Sequence, residues 1–204
     1  MNLPLPYISH SQFWLFNHDP EAYYQQYYVS RLDKATKPMI FGKIFQEAWC
    51  DRGYNYPKKL RKAGLTPDYA RVIKTAFDHP NMIRFPKVQT EKQYRAMGMG
   101  LKYPILGIFD GFKLKDQWIL ENKTGASLWT QERADDATQI TWYALICYLE
   151  FGFMPKRLTL QSIGSKNGQV VIRETKRDKE DFNFLIDAIN EMHDRIVDGD
   201  FNKI

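Results

Sequence analysis

Gly107–Gly125 reads GIFDGFKLKDQWILENKTG, two apolar runs joined by a polar turn at Lys113–Asp116. Each run carries one carboxylate, Asp110 in the first and Glu121 near the end of the second. Read as a β-hairpin, the pair brings both carboxylates to a sheet edge, where the sheet meets solvent. Residues i and i+2 of a strand share a face, so Glu121 and Lys123 point the same way. Two carboxylates and an ammonium group converging there are the parts of a divalent-metal site with a cation beside it. Hard oxygen donors suit Mg²⁺ or Mn²⁺. Taken alone, Glu-x-Lys is an ordinary surface ion pair. The order of elements says more: apolar strand with Asp, turn, apolar strand with Glu-x-Lys-Thr-Gly, then a long amphipathic helix.

The 204 residues suffice for one domain with a full core. Hydrophobic residues at 44% and charged residues at 26% place the chain among globular proteins rather than disordered ones. A net charge of +5 favours a polyanionic partner, though only mildly. Cys50 and Cys147 are too few for a four-thiolate site and fit a reducing, cytoplasmic compartment. The N-terminus lacks a signal-peptide layout, and no run of 18 apolar residues exists, so no membrane association is expected. The sequence has no repeats, low-complexity segment or linker.

Ser9-His10-Ser11-Gln12 has the spacing of a capping box and predicts a short helix over Ser11–Asn17. Asp19-Pro20-Glu21 restarts a helix whose body carries Tyr23, Tyr24, Tyr27 and Tyr28. Those rings can stack on nucleotide bases or pack on the domain, and packing is the simpler reading. A helix from Phe41 to near Gly53 presents Ile44, Phe45, Ala48 and Trp49 on one face, with Gln46 and Glu47 beside it. The basic run Lys58, Lys59, Arg61 and Lys62 is either a solvated face or a contact for phosphate groups. A further helix starts at Thr66 and runs to about Phe77, with Ala70, Ile73 and Phe77 inward.

Lys87–Met97 reads as the first strand, and Tyr103–Leu114 and Gln117–Lys123 as the hairpin. Glu132–Phe151 reads as one helix ended by Gly152, with Gln139 and Tyr143 one turn apart on the same face. Arg157–Ile163 and Gln169–Glu174 form a strand pair around Asn167-Gly168, and a last helix spans Asp178 to about Val197.

This order resembles the RecB-like branch of the PD-(D/E)XK nucleases over most of the chain. Ile8-Ser9-His10-Ser11 through Asp19-Pro20 and Tyr23 is similar to that family's "S-x-S … C-P … Y" segment, and Gly42 through Gln46 to its "G-x-x-x-H" helix. Gly107–Asp110 resembles "G-x-x-D", Glu121–Gly125 resembles "(D/E)-x-K-T-G", and Gln139–Tyr143 resembles "Q-x-x-x-Y".

The resemblance implies an α/β fold (α+β mixed). Its restriction-endonuclease-like core is a small central mixed β-sheet flanked by helices, with an N-terminal helical region. One domain would cover 1–204: a helical part over 1–86, the core over 87–175 and a C-terminal helix over 176–204. It implies a metal-dependent nuclease, exonuclease-like, acting on single- or double-stranded DNA in replication, recombination or repair, with a helicase or recombination protein as a compatible partner. Asp110 and Glu121 would bind Mg²⁺ or Mn²⁺, the Asn122 carbonyl would add a ligand, Lys123 would position the attacking water, and Gln139 and Tyr143 would orient the site. Glycines at 107 and 111, bracketing Asp110, would suit a place that a DNA strand must approach closely.

The chain departs from the family in two places. Gln46 stands where the family has a metal-binding histidine; an amide oxygen is a poor ligand for a transition metal but tolerable for Mg²⁺. Glu47, one residue out of register, is a weaker substitute. Asp19 stands where cluster-bearing relatives have the first of four cysteines, so no iron–sulfur cluster is expected. The alternative to an enzyme is a nuclease-fold module that binds nucleic acid without cutting it, or a subunit of a helicase–nuclease complex.

Overall fold

The computed structural model describes residues 1–30 and 35–202. Six strands form one mixed sheet with helices on both faces. The strands are β1 (Ile8–Ser9), β2 (Thr90–Ala96), β3 (Ile105–Lys113), β4 (Trp118–Gly125), β5 (Arg157–Gly164) and β6 (Val170–Thr175). The order runs β1-β3-β4-β5-β6, with β2 also paired to β3. Before the sheet lie α1 (His10–His18), α2 (Pro20–Tyr24), which continues as a π-helical turn, α3 (Lys37–Cys50), α4 (Tyr56–Lys62) and α5 (Pro67–Phe77). Two helices, α6 (Gln131–Asp135) and α7 (Thr138–Phe151), connect β4 to β5, and α8 (Lys179–Asp198) closes the described chain. The mixed sheet flanked by helices is the architecture expected from the sequence. Among the described residues no helix is long and apolar enough to cross a membrane.

Strand alternation builds the two halves of the core. On β4, Ile119 enters the apolar layer made by α1, α7 and α8, while Leu120 enters the layer made by α3 and α5. The parallel β4–β5 pairing runs unbroken from Trp118↔Arg157 to Gly125↔Gly164. A parallel pair needs a crossover, and α6 and α7 supply it. α7 is buried on most sides: Ile140 and the unbroken run Trp142–Cys147 are inside.

The strand β3 has a divided edge. Along one side it pairs antiparallel with β2 from Ala96↔Ile105 to Thr90↔Gly111. On the other side its start pairs with β1 through Ile8↔Ile105 and Ser9↔Leu106, and its end pairs with β4 through Gly111↔Leu120 to Lys113↔Trp118. Between these two partners the sheet forks, and Asp110 stands at the mouth of the fork. The carboxylates thus lie inside the sheet, not at its edge, because β5 and β6 extend it beyond β4.

The strand also changes face there. Phe109 packs on Tyr143 of α7 and Phe112 on Phe151 at the end of α7, although three residues apart they should point oppositely. The alternation slips by one at Asp110. Opposite this point, between the pairs Thr90↔Gly111 and Lys92↔Phe109, Glu91 takes a φ of 50°, unusual for a side-chain-bearing residue.

Several expected boundaries shift, among them the helix expected from Phe41, which begins at Lys37 behind the Thr36 N-cap. The strand expected from Lys87 begins at Thr90, because Pro86 and the Lys87–Gln89 turn come first and the Thr90 hydroxyl donates to Lys87 O at 2.9 Å. The long helix expected over Glu132–Phe151 breaks at Asp136–Ala137. There Arg177 donates to Ala134 O and Ala137 O, both at 3.2 Å, and to Thr141 Oγ1 at 2.7 Å. A guanidinium from the β6–α8 connection thereby fastens the break, adding a side-chain donor to carbonyls that also accept backbone N–H groups. The tyrosine stripe packs inward, with Tyr23 buried against Phe16 and Phe201.

The two glycines flanking Asp110 make room for the protein's own layers. A Cβ on Gly107 would sit 2.7 Å from Ile146 Cδ1 and 3.2 Å from the Tyr143 ring; one on Gly111 would sit 2.8 Å from Phe85 Cδ2. Gly107→Ala should therefore overpack the β3–α7 contact and lower stability by about 1–3 kcal/mol, read as a lower urea midpoint. An unchanged midpoint would show that α7 does not press on β3 as described.

Candidate active site at the sheet fork

Where the β3–β4 ladder stops, a side chain takes over from the backbone. Asp110 Oδ2 accepts the Asn122 N–H at 2.8 Å, so the carboxylate spans the gap that the next rung would have closed. Glu121, one residue before Asn122, is almost wholly buried. Burial, and the neighbouring Glu121 carboxylate after it, push the Asp110 carboxyl well above the usual carboxylate range.

Lys123 follows on the same face, as the two-residue spacing requires. Its Nζ lies 2.8 Å from Glu121 Oε1 and donates to Gln139 Oε1. Gln139 Nε2 donates to Tyr143 OH at 2.6 Å, and that hydroxyl donates to Ile108 O at 2.8 Å. A relay of three side chains therefore ties the lysine to the backbone of β3 beside the fork. Tyr143 is held in its neutral form by burial first, then by Glu121 and Asp110, which raise its pKa well above the ordinary value. It acts here as a fixed hydrogen-bond donor rather than an acid. The break before α7 puts Gln139 in the first turn of that helix, level with Lys123.

The opposite face of β4 carries a second polar chain. Asn122 Nδ2 donates to Gln46 Oε1 at 3.1 Å, and Gln161 Nε2 of β5 donates to Asn122 Oδ1 at 2.8 Å. Gln161 Oε1 in turn accepts the Ile83 N–H at 2.7 Å. Gln46 therefore meets Asn122 on the α3 side, while Glu121 and Lys123 lie on the α7 side. Its amide oxygen is already occupied by Asn122.

The structure thus gathers Asp110, Glu121, Asn122, Lys123, Gln139 and Tyr143 into one place, with Gln46 across the strand from them. The basic residues Lys58, Lys59, Arg61 and Lys62 stand elsewhere, on α4 packed beside α3, with Lys59 and Lys62 lining a separate groove of about 570 Å³ next to Lys43 and Tyr54. Gln161 and its neighbour Ser162, whose Oγ accepts the Trp129 N–H at 3.0 Å, escaped the sequence reading. Their signal was a polar pair inside the apolar run Leu158–Ile163, where buried polar groups require partners.

One atom in the site stands out. Glu121 Oε2 is buried and receives no hydrogen bond from any described residue. A buried carboxylate oxygen without a donor is costly. Beside a second carboxylate it matches the coordination habit of a hard divalent cation. Among the described residues no group of three or more His, Cys, Asp or Glu gathers to hold a metal, so a cation here would rest on the two carboxylates and on neutral oxygens.

No family model and no curated protein matches the chain. A solved structure does: a protein from Eubacterium rectale described as "Putative exonuclease", with a TM-score of 0.64 over 96% of this chain and 82% of that one, at 14% identity. At that identity the likeness is one of fold alone.

His10, the first residue of α1, borders the same region. Burial, and the positive charge of Lys123 after it, lower its pKa from 6.5 to about 4. Between those two values the unfolded chain binds a proton at His10 that the folded chain refuses, so the folded state loses stability as pH falls from 6.5 towards 4. His10→Gln should remove that part of the slope. Urea midpoints of the two proteins compared at pH 7 and at pH 4.5 check it; a constant difference between them would contradict the assignment.

Proposed function

We propose that the chain is a metal-dependent DNA nuclease, exonuclease-like, hydrolysing phosphodiester bonds at the fork. The observation that carries this reading is the convergence of Asp110, Glu121 and Lys123 at one point, with a buried Glu121 oxygen that lacks a donor. The shared fold with the Eubacterium rectale protein supports it.

The residues present fit a divalent cation. Asp110 and Glu121 would hold it through their carboxylates, with the Asn122 carbonyl as a neutral oxygen donor. Gln46 is the less suitable ligand, since its oxygen is engaged by Asn122. When bound, Mg²⁺ or Mn²⁺ supplies polarisation of a phosphoryl oxygen and lowers the pKa of a coordinated water.

The chain's own groups do the rest. Lys123 orients the attacking water with its ammonium group and offsets the charge that grows on the phosphate oxygens. Gln139 and Tyr143 are positioning residues: the relay to Ile108 O keeps the lysine aimed at the fork instead of at solvent. Glu121 is the lysine's other partner, holding the ammonium group beside the carboxylates. The basic face of α4 would contact the DNA backbone without reading sequence.

End-labelled single- and double-stranded DNA incubated with Mg²⁺ or Mn²⁺ tests the proposal. Wild type should release labelled product, EDTA should stop it, and Lys123→Ala should cut about 10²–10³-fold more slowly. DNA that is bound yet left intact by both proteins would establish instead the binding module that has lost catalysis.

A further inference from the structure

Next to the fork lies a cavity of about 720 Å³ whose wall includes Lys123 and Gln139. Its other walls come from α1, through His10, Ser11 and Trp14, and from the segment around α6, through Trp129 and Arg133. We propose that this cavity receives the unpaired nucleobases of a single-stranded DNA end and so makes the strand's stacking, not its duplex form, the feature the site selects. The proposal rests on the reading of the fork as a nuclease centre.

Size comes first: the volume lies within the range of sites that enclose small organic ligands. Ring surface comes second. Trp14 keeps 52% of its surface open, a large exposure for an indole. It is nevertheless held in place, since His18 stacks on it with ring centroids 4.1 Å apart and points Nδ1 at Trp14 O at 2.9 Å. Trp129 is fixed through its backbone, the N–H to Ser162 and the carbonyl to Arg173 Nε at 3.2 Å. The Arg133 guanidinium lies 4.1 Å from the Trp129 ring, presenting a flat cation to the cavity. Bases stack on indole rings and on guanidinium planes without regard to sequence.

The charges say which part of a strand enters. Glu132 and Asp136 line the cavity together with Lys123 and Arg133. Two carboxylates there repel a phosphate backbone but accept hydrogen bonds from base N–H groups. His10, neutral at pH 7 because burial and Lys123 hold its pKa near 4, adds no net charge against them. Phosphates would therefore pass by Lys123 at the fork while bases turn towards Trp14. A paired and stacked duplex cannot present its bases this way without fraying.

The test is binding in EDTA, where no cleavage intervenes, followed by fluorescence anisotropy of labelled oligonucleotides with wild type, Trp14→Ala and Trp14→Phe. Oligothymidylate should bind Trp14→Ala about tenfold more weakly and Trp14→Phe within about threefold of wild type, while blunt duplex binding stays unchanged across the three. An abasic strand of the same length should bind wild type as weakly as oligothymidylate binds Trp14→Ala. Equal affinity of wild type and Trp14→Ala for oligothymidylate would overturn the proposal, as would an abasic strand that binds as tightly as the thymidine strand. Thymidine monophosphate competing at the oligonucleotide's own affinity would also overturn it, by making the ligand a free nucleotide. The outcome is separable from the nuclease reading: Trp14-dependent binding without any cleavage by wild type would remove that reading and leave the pocket, and cleavage with Trp14-independent binding would do the reverse.

Discussion

The hydrogen bond from Asn122 N–H to Asp110 Oδ2 is the contact on which the arrangement of the site depends. β3 cannot pair with β1 and β4 along the same stretch, since both want the same edge. The edge is therefore divided, and a polar side chain must bridge the division or leave a backbone donor unpaired inside the protein. Asp110 does so with one oxygen. The slip in side-chain alternation, the strained Glu91 opposite, and the approach of Glu121 all gather at that residue. A local irregularity in the sheet and a concentration of negative charge are here two aspects of one packing solution.

Around this point the protein spends its polar side chains in two separate chains, one on each face of β4. On the α7 face, Lys123, Gln139 and Tyr143 lead from the carboxylates back to β3. On the α3 face, Gln46, Asn122 and Gln161 lead from α3 to the backbone at Ile83. The first is charged at its head and open to a cavity. The second is neutral and knits two core layers. Adjacent residues of one strand thus join a charged and a neutral polar chain in alternation, which follows from the pleat itself.

Much of this was legible in the sequence. The hairpin, the shared direction of Glu121 and Lys123, the stacking of Gln139 over Tyr143 and the helix starts at Ser9 and Asp19 are governed by short-range periodicity and capping, and they stand where periodicity puts them. The fork was not legible. It depends on Ile8 and Ser9 meeting Ile105 and Leu106 nearly a hundred residues away, and two paired residues leave no pattern to read. The break before α7 was hidden for a similar reason. Helical spacing continues through Asp136 and Ala137, and the interruption is stabilised by Arg177, far along the chain. The glycines beside Asp110 were recognised as places of close approach, but which neighbour approaches is a tertiary fact: Ile146 and Phe85 of the same chain.

The three amides on the far side of β4 carry an evolutionary corollary. Gln46 accepts from Asn122 Nδ2 through its amide oxygen, and the Asn122 oxygen in turn accepts from Gln161 Nε2. An imidazole at position 46 would offer a different count and direction of donors and acceptors, so the other two positions would have to be rewritten with it. Positions 46, 122 and 161 should therefore drift as a trio in descendants of this sequence. The carboxylates and the lysine, turned the other way, are insulated from that drift.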